Sequence, residues 1–143
     1  MKTLQQMIDN KQHKTVVSIA PNRPVYDALV ILAEYKIGAL VVLNEENLVG
    51  IFSERDYARE VVLQGKSSKT TQVSEVMTSK VLCGKPEDTS ESAMQLMSES
   101  RIRHLPVIEN GKVIGVLSMG DMVKETIEDQ KDLIKQLKNY ILS

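Results

Sequence analysis

The sequence predicts a mixed α/β fold of the α+β kind, two β-α-β-β-α units with a helix at either end. Three observations carry this expectation. The chain repeats itself, each copy changes its hydrophobic period in the same order, and apolar residues recur at helical spacing near both termini. Displacing the chain by 65 residues lays 16–62 on 81–127 without a gap, with 11 identical pairs in 47 positions. Among the identities are Pro21/Pro86, Ala28/Ala93, Gly50/Gly115, Ser53/Ser118 and Asp56/Asp121, and most other apolar positions stay apolar.

In chain order, Leu4, Met7 and Ile8 suggest a short amphipathic helix within 1–14. Val16–Ile19 is a β-branched run stopped by Pro21, hence a strand. From Val25 to Tyr35, Ala28, Leu29, Ile31 and Leu32 fall at helical spacing. Ala39–Leu43 and Leu48–Phe52 are short apolar strands joined by Asn44-Glu45-Glu46-Asn47. The matching joint in the second copy, Glu109-Asn110-Gly111-Lys112, carries the Asn-Gly pair that favours a tight hairpin. A second helix follows Ser53, from about Glu54 to Leu63. The first unit is placed at 15–63 and the second at 73–127, with the polar stretch 64–72 as linker. A unit of about 50 residues buries too little surface alone, so the copies are expected to pack face to face. Beyond it, 128–143 extends the last helix. Val123, Ile127, Gln130, Ile134, Leu137 and Ile141 recur at alternating spacings of four and three, a heptad seam. Self-packing and a homodimer seam both fit that pattern.

Composition narrows the function. Eighteen basic residues against 19 acidic ones give a net charge of −1, which argues against a nonspecific nucleic-acid binder. No apolar run approaches the roughly 18 residues that span a bilayer, and 1–14 does not read as a secretory signal. A cytoplasmic protein without membrane attachment is expected. One cysteine, Cys83, excludes an intrachain disulfide or a thiolate zinc cluster, and His13 and His104 form no metal-ligand pattern. No phosphate-binding loop and no GxSxG are present, so an enzyme would have to work with scattered carboxylates.

The repeated motif at each strand-to-helix junction is GIFSERD at 50–56 and GVLSMGD at 115–121. Two readings are open on these residues alone. Ser53 with Asp56, and Ser118 with Asp121, either cap a helix, or offer a hydroxyl and a carboxylate to the vicinal hydroxyls of a ribose, with helix N–H groups facing phosphate. Arg101, Arg103 and His104 stand at the entrance of the second copy's middle strand, where a buried strand has no structural need for them. Arginine suits bidentate contact with phosphate, and histidine adds a donor. The first copy has Lys36, Gly38 and Ala39 there. Arg55 and Arg59, one helical turn apart, either replace that charge or pair in solvent with Glu54 or Glu60.

These units resemble a tandem cystathionine-β-synthase (CBS) domain pair, or Bateman module. GALVVLNEENLVGIFSERDYAR in the first copy and RIRHLPVIENGKVIGVLSMGDMV in the second carry the likeness, which covers about 15–127. SERDYAR and RIRHLPV together resemble the small stand-alone bacterial proteins made only of this pair. The resemblance implies two central sheets packed about a pseudo-twofold axis, leaving two related clefts for an adenine nucleotide: AMP, ADP, ATP, NAD or S-adenosylmethionine. It implies that Asp56 and Asp121 hold ribose, with Ser53 and Ser118 close to ribose or phosphate. Thr15, Val17 and Ala20, with Lys80 and Val81, would frame the adenine, and Arg103 and His104 would meet phosphate. Ala39, Arg55, Pro106 and Gly120 complete the implied set. The first copy departs from the family's basic pattern at Gly38-Ala39, so the two clefts are expected to differ in affinity or ligand.

The expected function is therefore a nonenzymatic regulatory sensor without a metal, acting as a homodimer and passing its state to a protein effector. The alternatives are a docking module with empty clefts, and a small hydrolase using Asp56 or Asp121. No nucleophile–base set accompanies those carboxylates, which counts against the hydrolase.

Overall fold

In the computed structural model, which describes residues 2–11 and 15–142, the expected order of strands and helices is realised in the first copy, while in the second copy the first strand is reduced to a single bridge. Met1, 12–14 with His13, and Ser143 lie outside the described residues. The elements are α1 (Leu4–Asp9), β1 (Ser18–Ile19), α2 (Val25–Tyr35), β2 (Ala39–Asn44), β3 (Asn47–Ser53) and α3 (Glu54–Asp56), which continues as a π-helix (Tyr57–Val62). They are followed by α4 (Val73–Val76), α5 (Ser90–Ser100), β4 (His104–Glu109), β5 (Lys112–Ser118) and α6 (Met119–Leu142). The chain forms two compact units. One holds 15–82 and the hairpin tip 110–113; the other holds 2–11, 83–109 and 114–142.

In the first unit β1 runs parallel to β2, and β2 antiparallel to β3, with a register shift at Val42/Leu43. The first four residues of β2 are all buried, as an unbroken apolar run requires. Ile19, Val25, Ala28, Leu32, Leu40, Val42, Phe52 and Val61 form the core together with Val73 and Val76. α2 starts behind Pro24, has Asp27 in its first turn, and ends at Lys36 in the left-handed region (φ 55°). The helix expected over 54–63 is present, but its second part is π-wound, with the Leu63 N–H donating to the Ala58 carbonyl five residues back. That winding places Val61 in the core while Val62 and Leu63 face solvent.

The polar stretch 64–72 is not slack. The Val25 N–H donates to the Thr71 carbonyl (2.8 Å) and the Tyr26 N–H to that of Ser68 (2.9 Å). Four residues are too few for periodicity to announce a helix at 73–76; α4 forms because Gln72 and Glu75 cap each other reciprocally and Val73 and Val76 are buried.

In the second unit β4 and β5 pair as a two-stranded sheet, and Gly84 bridges Val107 in parallel where the first unit has β1. Asn110 (φ 53°) and Gly111 (φ 79°) both take positive φ, the type I′ pattern that the Asn-Gly pair announces. In the first hairpin only Glu45 does so. Leu4, Met7, Ile8, Ala93, Met97, Leu105, Val107, Leu117 and Met122 form this core. α5 is capped by Thr89 and ends at Arg101 (φ 56°), the counterpart of Lys36.

The two units do not follow chain order at their leading helices. α1, which precedes the first copy, belongs to the second unit, and α4, which precedes the second copy, belongs to the first. The hydrogen bonds match. Leu4 and Gln5 donate to the carbonyls of Asp88 and Pro86 (2.8 and 3.0 Å), while Val73 and Ser74 donate to those of Arg23 and Pro21 (both 2.9 Å). Each crossing segment then presses an apolar side chain onto a strand glycine. A Cβ on Gly50 would stand 2.5 Å from Met77 Sδ and 3.0 Å from the Thr78 carbonyl; one on Gly115 would stand 2.8 Å from Ile8 Cδ1. Gly50→Ala is expected to cost about 1–3 kcal/mol, because the Thr78 backbone as well as the thioether must shift. Urea unfolding with an unchanged midpoint would show that the seat is loose.

Candidate functional site

At the end of β3 the chain turns directly into α3. Ser53 is the N-cap with extended backbone (φ −126°, ψ 166°), and its Oγ accepts from the Asp56 N–H. Asp56 answers from the third helical position: its Oδ2 accepts from the Ser53 N–H (2.9 Å) and from Ser53 Oγ (3.0 Å). The other oxygen, Oδ1, accepts from Thr78 Oγ1 (3.1 Å). Thr78 comes from the segment behind α4, which is held at β3 because Ile51 and Thr78 exchange two backbone hydrogen bonds of 2.9 Å.

The second junction repeats the cap and changes the visitor. Ser118 N–H donates to Asp121 Oδ2 (2.7 Å), and the Asp121 N–H donates to Ser118 Oγ (3.1 Å). Here the crossing segment brings a charge. Lys11 Nζ donates to Asp121 Oδ2 (3.1 Å) and to the Val116 carbonyl (3.0 Å). Burial works to raise the Asp121 carboxyl, but the Ser118 N–H and the Lys11 ammonium outweigh it and hold it below the ordinary carboxylate range. Oδ1 of Asp121 has no hydrogen bond among the described residues.

Both junctions thus realise the capping reading, and they do so with helix N–H groups the ligand reading had left for phosphate. The Glu54 and Met119 N–H groups donate to the carbonyls of Gly38 (3.1 Å) and Arg103 (2.8 Å). Of the first three N–H groups of each helix, only those of Arg55 and Gly120 have no protein partner among the described residues. Arg55, Arg59 and Gly120 are exposed, and neither arginine makes an ion pair among the described residues.

The structure gathers some expected residues and separates others. Ala39 is buried and faces Ser53 across the ladder. Lys80 and Val81 fall in the compact unit of Ser53 and Asp56, with Thr15, Val17 and Ala20 around β1. The other unit holds Ser118 and Asp121 with Arg103, exposed, His104, half-buried, and Pro106, buried, the latter two on β4. Lys11 and Thr78 went unnoticed in the sequence. A signal for them exists: at an offset of 69 residues, Leu4, Met7 and Ile8 overlie Val73, Val76 and Met77, which marks the crossing segments as a second repeated piece.

Beside Asp121 lies a cavity of about 390 Å³ that Lys2, Lys11, Lys124, Glu125 and Glu128 also line. Glu125 is buried there, its Oε2 3.3 Å from Lys2 Nζ and its Oε1 without a partner among the described residues. That hydrogen bond raises the Lys2 amine above its ordinary value. In the other unit a cavity of about 550 Å³ lies at the end of α2, lined by Lys36, Ile37, Gly38, Glu54 and Tyr57, and it does not include Asp56. Burial pushes the Cys83 thiol up, away from thiolate chemistry. Among the described residues no cluster of histidine, cysteine and carboxylates could hold a metal ion, and no helix is long and apolar enough to cross a membrane.

Comparison with known proteins gives the same picture from outside. The family model for the CBS domain matches 12–63 and again 73–128. A CBS-domain structure from Burkholderia ambifaria MC40-6 is 46% identical, with a TM-score of 0.86 over 90% of this chain and 96% of its own. The mitochondrial CBS domain-containing protein CBSX3 of Arabidopsis thaliana is 41% identical over 122 residues, 82% of this chain and 59% of that relative, so the chain spans under two thirds of its length. The CBS domain pair of protein MJ0100, crystallised with 5′-methylthioadenosine and S-adenosyl-L-methionine, shares the fold at 22% identity (TM-score 0.79, covering 90% and 98%).

The Lys11–Asp121 contact has a pH signature. A carboxyl whose pKa is depressed by folding adds stability that is complete above its unfolded value, about 3.9, and is lost as pH falls through the folded value. Lys11→Met is expected to cost about 1 kcal/mol at pH 7, and the part owed to the ion pair should be lost as Asp121 becomes protonated, leaving that of the Val116 carbonyl bond. Denaturant unfolding followed from pH 7 down through the acid range reads the difference; a loss that stays constant while wild-type Asp121 titrates would assign Lys11 a packing role only.

Proposed function

Because the chain belongs to the CBS-domain family and carries two such domains in tandem, we propose that it is a nonenzymatic regulatory module that binds an adenine nucleotide and works as a homodimer. The observation that supports this reading is the junction built twice with one carboxylate oxygen assigned to the helix cap and the other turned outward. At Asp56 that second oxygen meets only a neutral hydroxyl; at Asp121 it has no hydrogen bond among the described residues. Ribose hydroxyls are donors, so either carboxylate accepts them without dismantling its cap. Arg103, His104 and Lys11 supply charge and donors for phosphate at the second junction, Arg55 and Lys80 at the first. The ligand class follows the relative of the same fold that holds two adenosine compounds.

Such a ligand regulates by differential affinity: it stabilises one arrangement of the protein over another and shifts the population. The output passes to a protein effector in the cytoplasm. One observation favours a docking module with empty sites instead, since Lys11 already neutralises Asp121.

Melting curves separate the two. AMP, ADP, ATP, NAD or S-adenosylmethionine at about 100 times its dissociation constant adds about 2.7 kcal/mol per site, on the order of 5–10 °C in melting temperature for a chain of this size. A flat response to all five at millimolar concentration leaves the docking module.

A pair of variants distinguishes cap from ligand site. Asn at position 56 or 121 keeps an oxygen for the serine N–H but loses the charge. Asp56→Asn and Asp121→Asn should each cost little stability without ligand and lower ribonucleotide affinity at least tenfold at their own junction. Calorimetry showing unchanged binding in the folded double variant would return both residues to capping alone.

A further inference from the structure

We propose that the C-terminal half of α6 is the contact between two copies of this chain, which pair there as parallel helices in register. This rests on the homodimeric part of the reading above and is independent of the ligand. α6 runs for 24 residues, but only Met122 and Glu125 are buried, and 131–142 is exposed at every position. A lone helical segment of that length is marginal in water, so self-packing, one of the two readings of the heptad seam, does not account for it. The seam itself is bare: Ile127, Ile134, Leu137 and Ile141 are 46%, 52%, 52% and 77% exposed. A stripe of that kind requires a cover.

The residues around the stripe identify the cover and its direction. With Ile127, Ile134 and Ile141 at heptad position a, position d holds Val123, Gln130 and Leu137. Every a position is β-branched, which suits two parallel strands, with Leu137 at one d position and Gln130, a polar core residue, at another to favour one register. Position e is Lys124, Lys131 and Lys138, and position g is Thr126, Leu133 and Tyr140. Antiparallel helices set e against e, which would line lysine against lysine along one flank. Parallel helices set e against g. Lys138 then lies beside Leu133 of the partner subunit, where its stem covers apolar surface and its ammonium stays in water. No like charges meet. A second copy in parallel is the occupant this surface fits.

Single-cysteine variants in a Cys83→Ser background test this directly. In parallel register each core position meets itself, so both Leu137→Cys and Ile141→Cys should give disulfide-linked dimers as the main product of mild oxidation. Asn139→Cys, at the outward position f, should not. Antiparallel helices face a against d, so linkage of Ile127→Cys to Leu137→Cys in a mixture, with neither self-linking, would overturn the parallel arrangement. Sedimentation distinguishes the seam from the dimer itself. The wild type should have twice the 16.0 kDa chain mass, and Ile134→Glu with Leu137→Glu should be a folded monomer by circular dichroism. A variant that stays dimeric shows that the copies meet elsewhere and overturns the seam, whereas a monomeric wild type overturns the homodimer as well.

Discussion

The close seating of one side chain on a backbone without a side chain positions everything around the two junctions. Met77 lies against Gly50 and Ile8 against Gly115, and in each case the residues next along the chain reach the junction carboxylate. Thr78 does so immediately, pinned by its two backbone bonds to Ile51. Lys11 does so three residues beyond Ile8, with a longer side chain. A methyl group on either glycine would push the crossing segment off the strand and take the donor with it. Core packing and site chemistry therefore meet at the same few atoms.

That seating also makes the two junctions unequal while their caps stay equal. Ser53–Asp56 and Ser118–Asp121 form the same reciprocal bonds, a unit worth about 1 kcal/mol in helix stability. The difference is the visitor: a neutral hydroxyl at the first and an ammonium at the second. The Asp121 carboxylate thus already carries a cation, Lys11, whereas that of Asp56 has only the Thr78 hydroxyl on its second oxygen. Duplication preserved the carboxylates, and the crossing segments, which match at a different offset, carry the divergence.

α6 shows a related division of labour. Its first turns bury Met122 and Glu125 and complete the second core, so the helix is nucleated by packing. Its remaining turns spend their apolar residues on a surface that its own chain does not use. The same helix begins at a candidate ligand site and ends at the proposed contact.

Periodicity and repetition, both local to the sequence, determined the fold class, the order of the elements apart from α4 and the second copy's first strand, the Asn110-Gly111 turn, the two Ser-x-x-Asp junctions and the heptad seam. These were legible because burial leaves a periodic mark and a cap needs only residues three apart. Tertiary structure alone decided which unit α1 and α4 join, that Lys80 and Val81 share a unit with Asp56, that 64–72 is bonded rather than slack, and that Lys11 and Thr78 reach the carboxylates. The reason is physical. A hydrogen bond between residues 110 apart in sequence depends on where the chain crosses, and that path is set by which apolar side chain finds a glycine to sit on, a fit that no hydropathy pattern records.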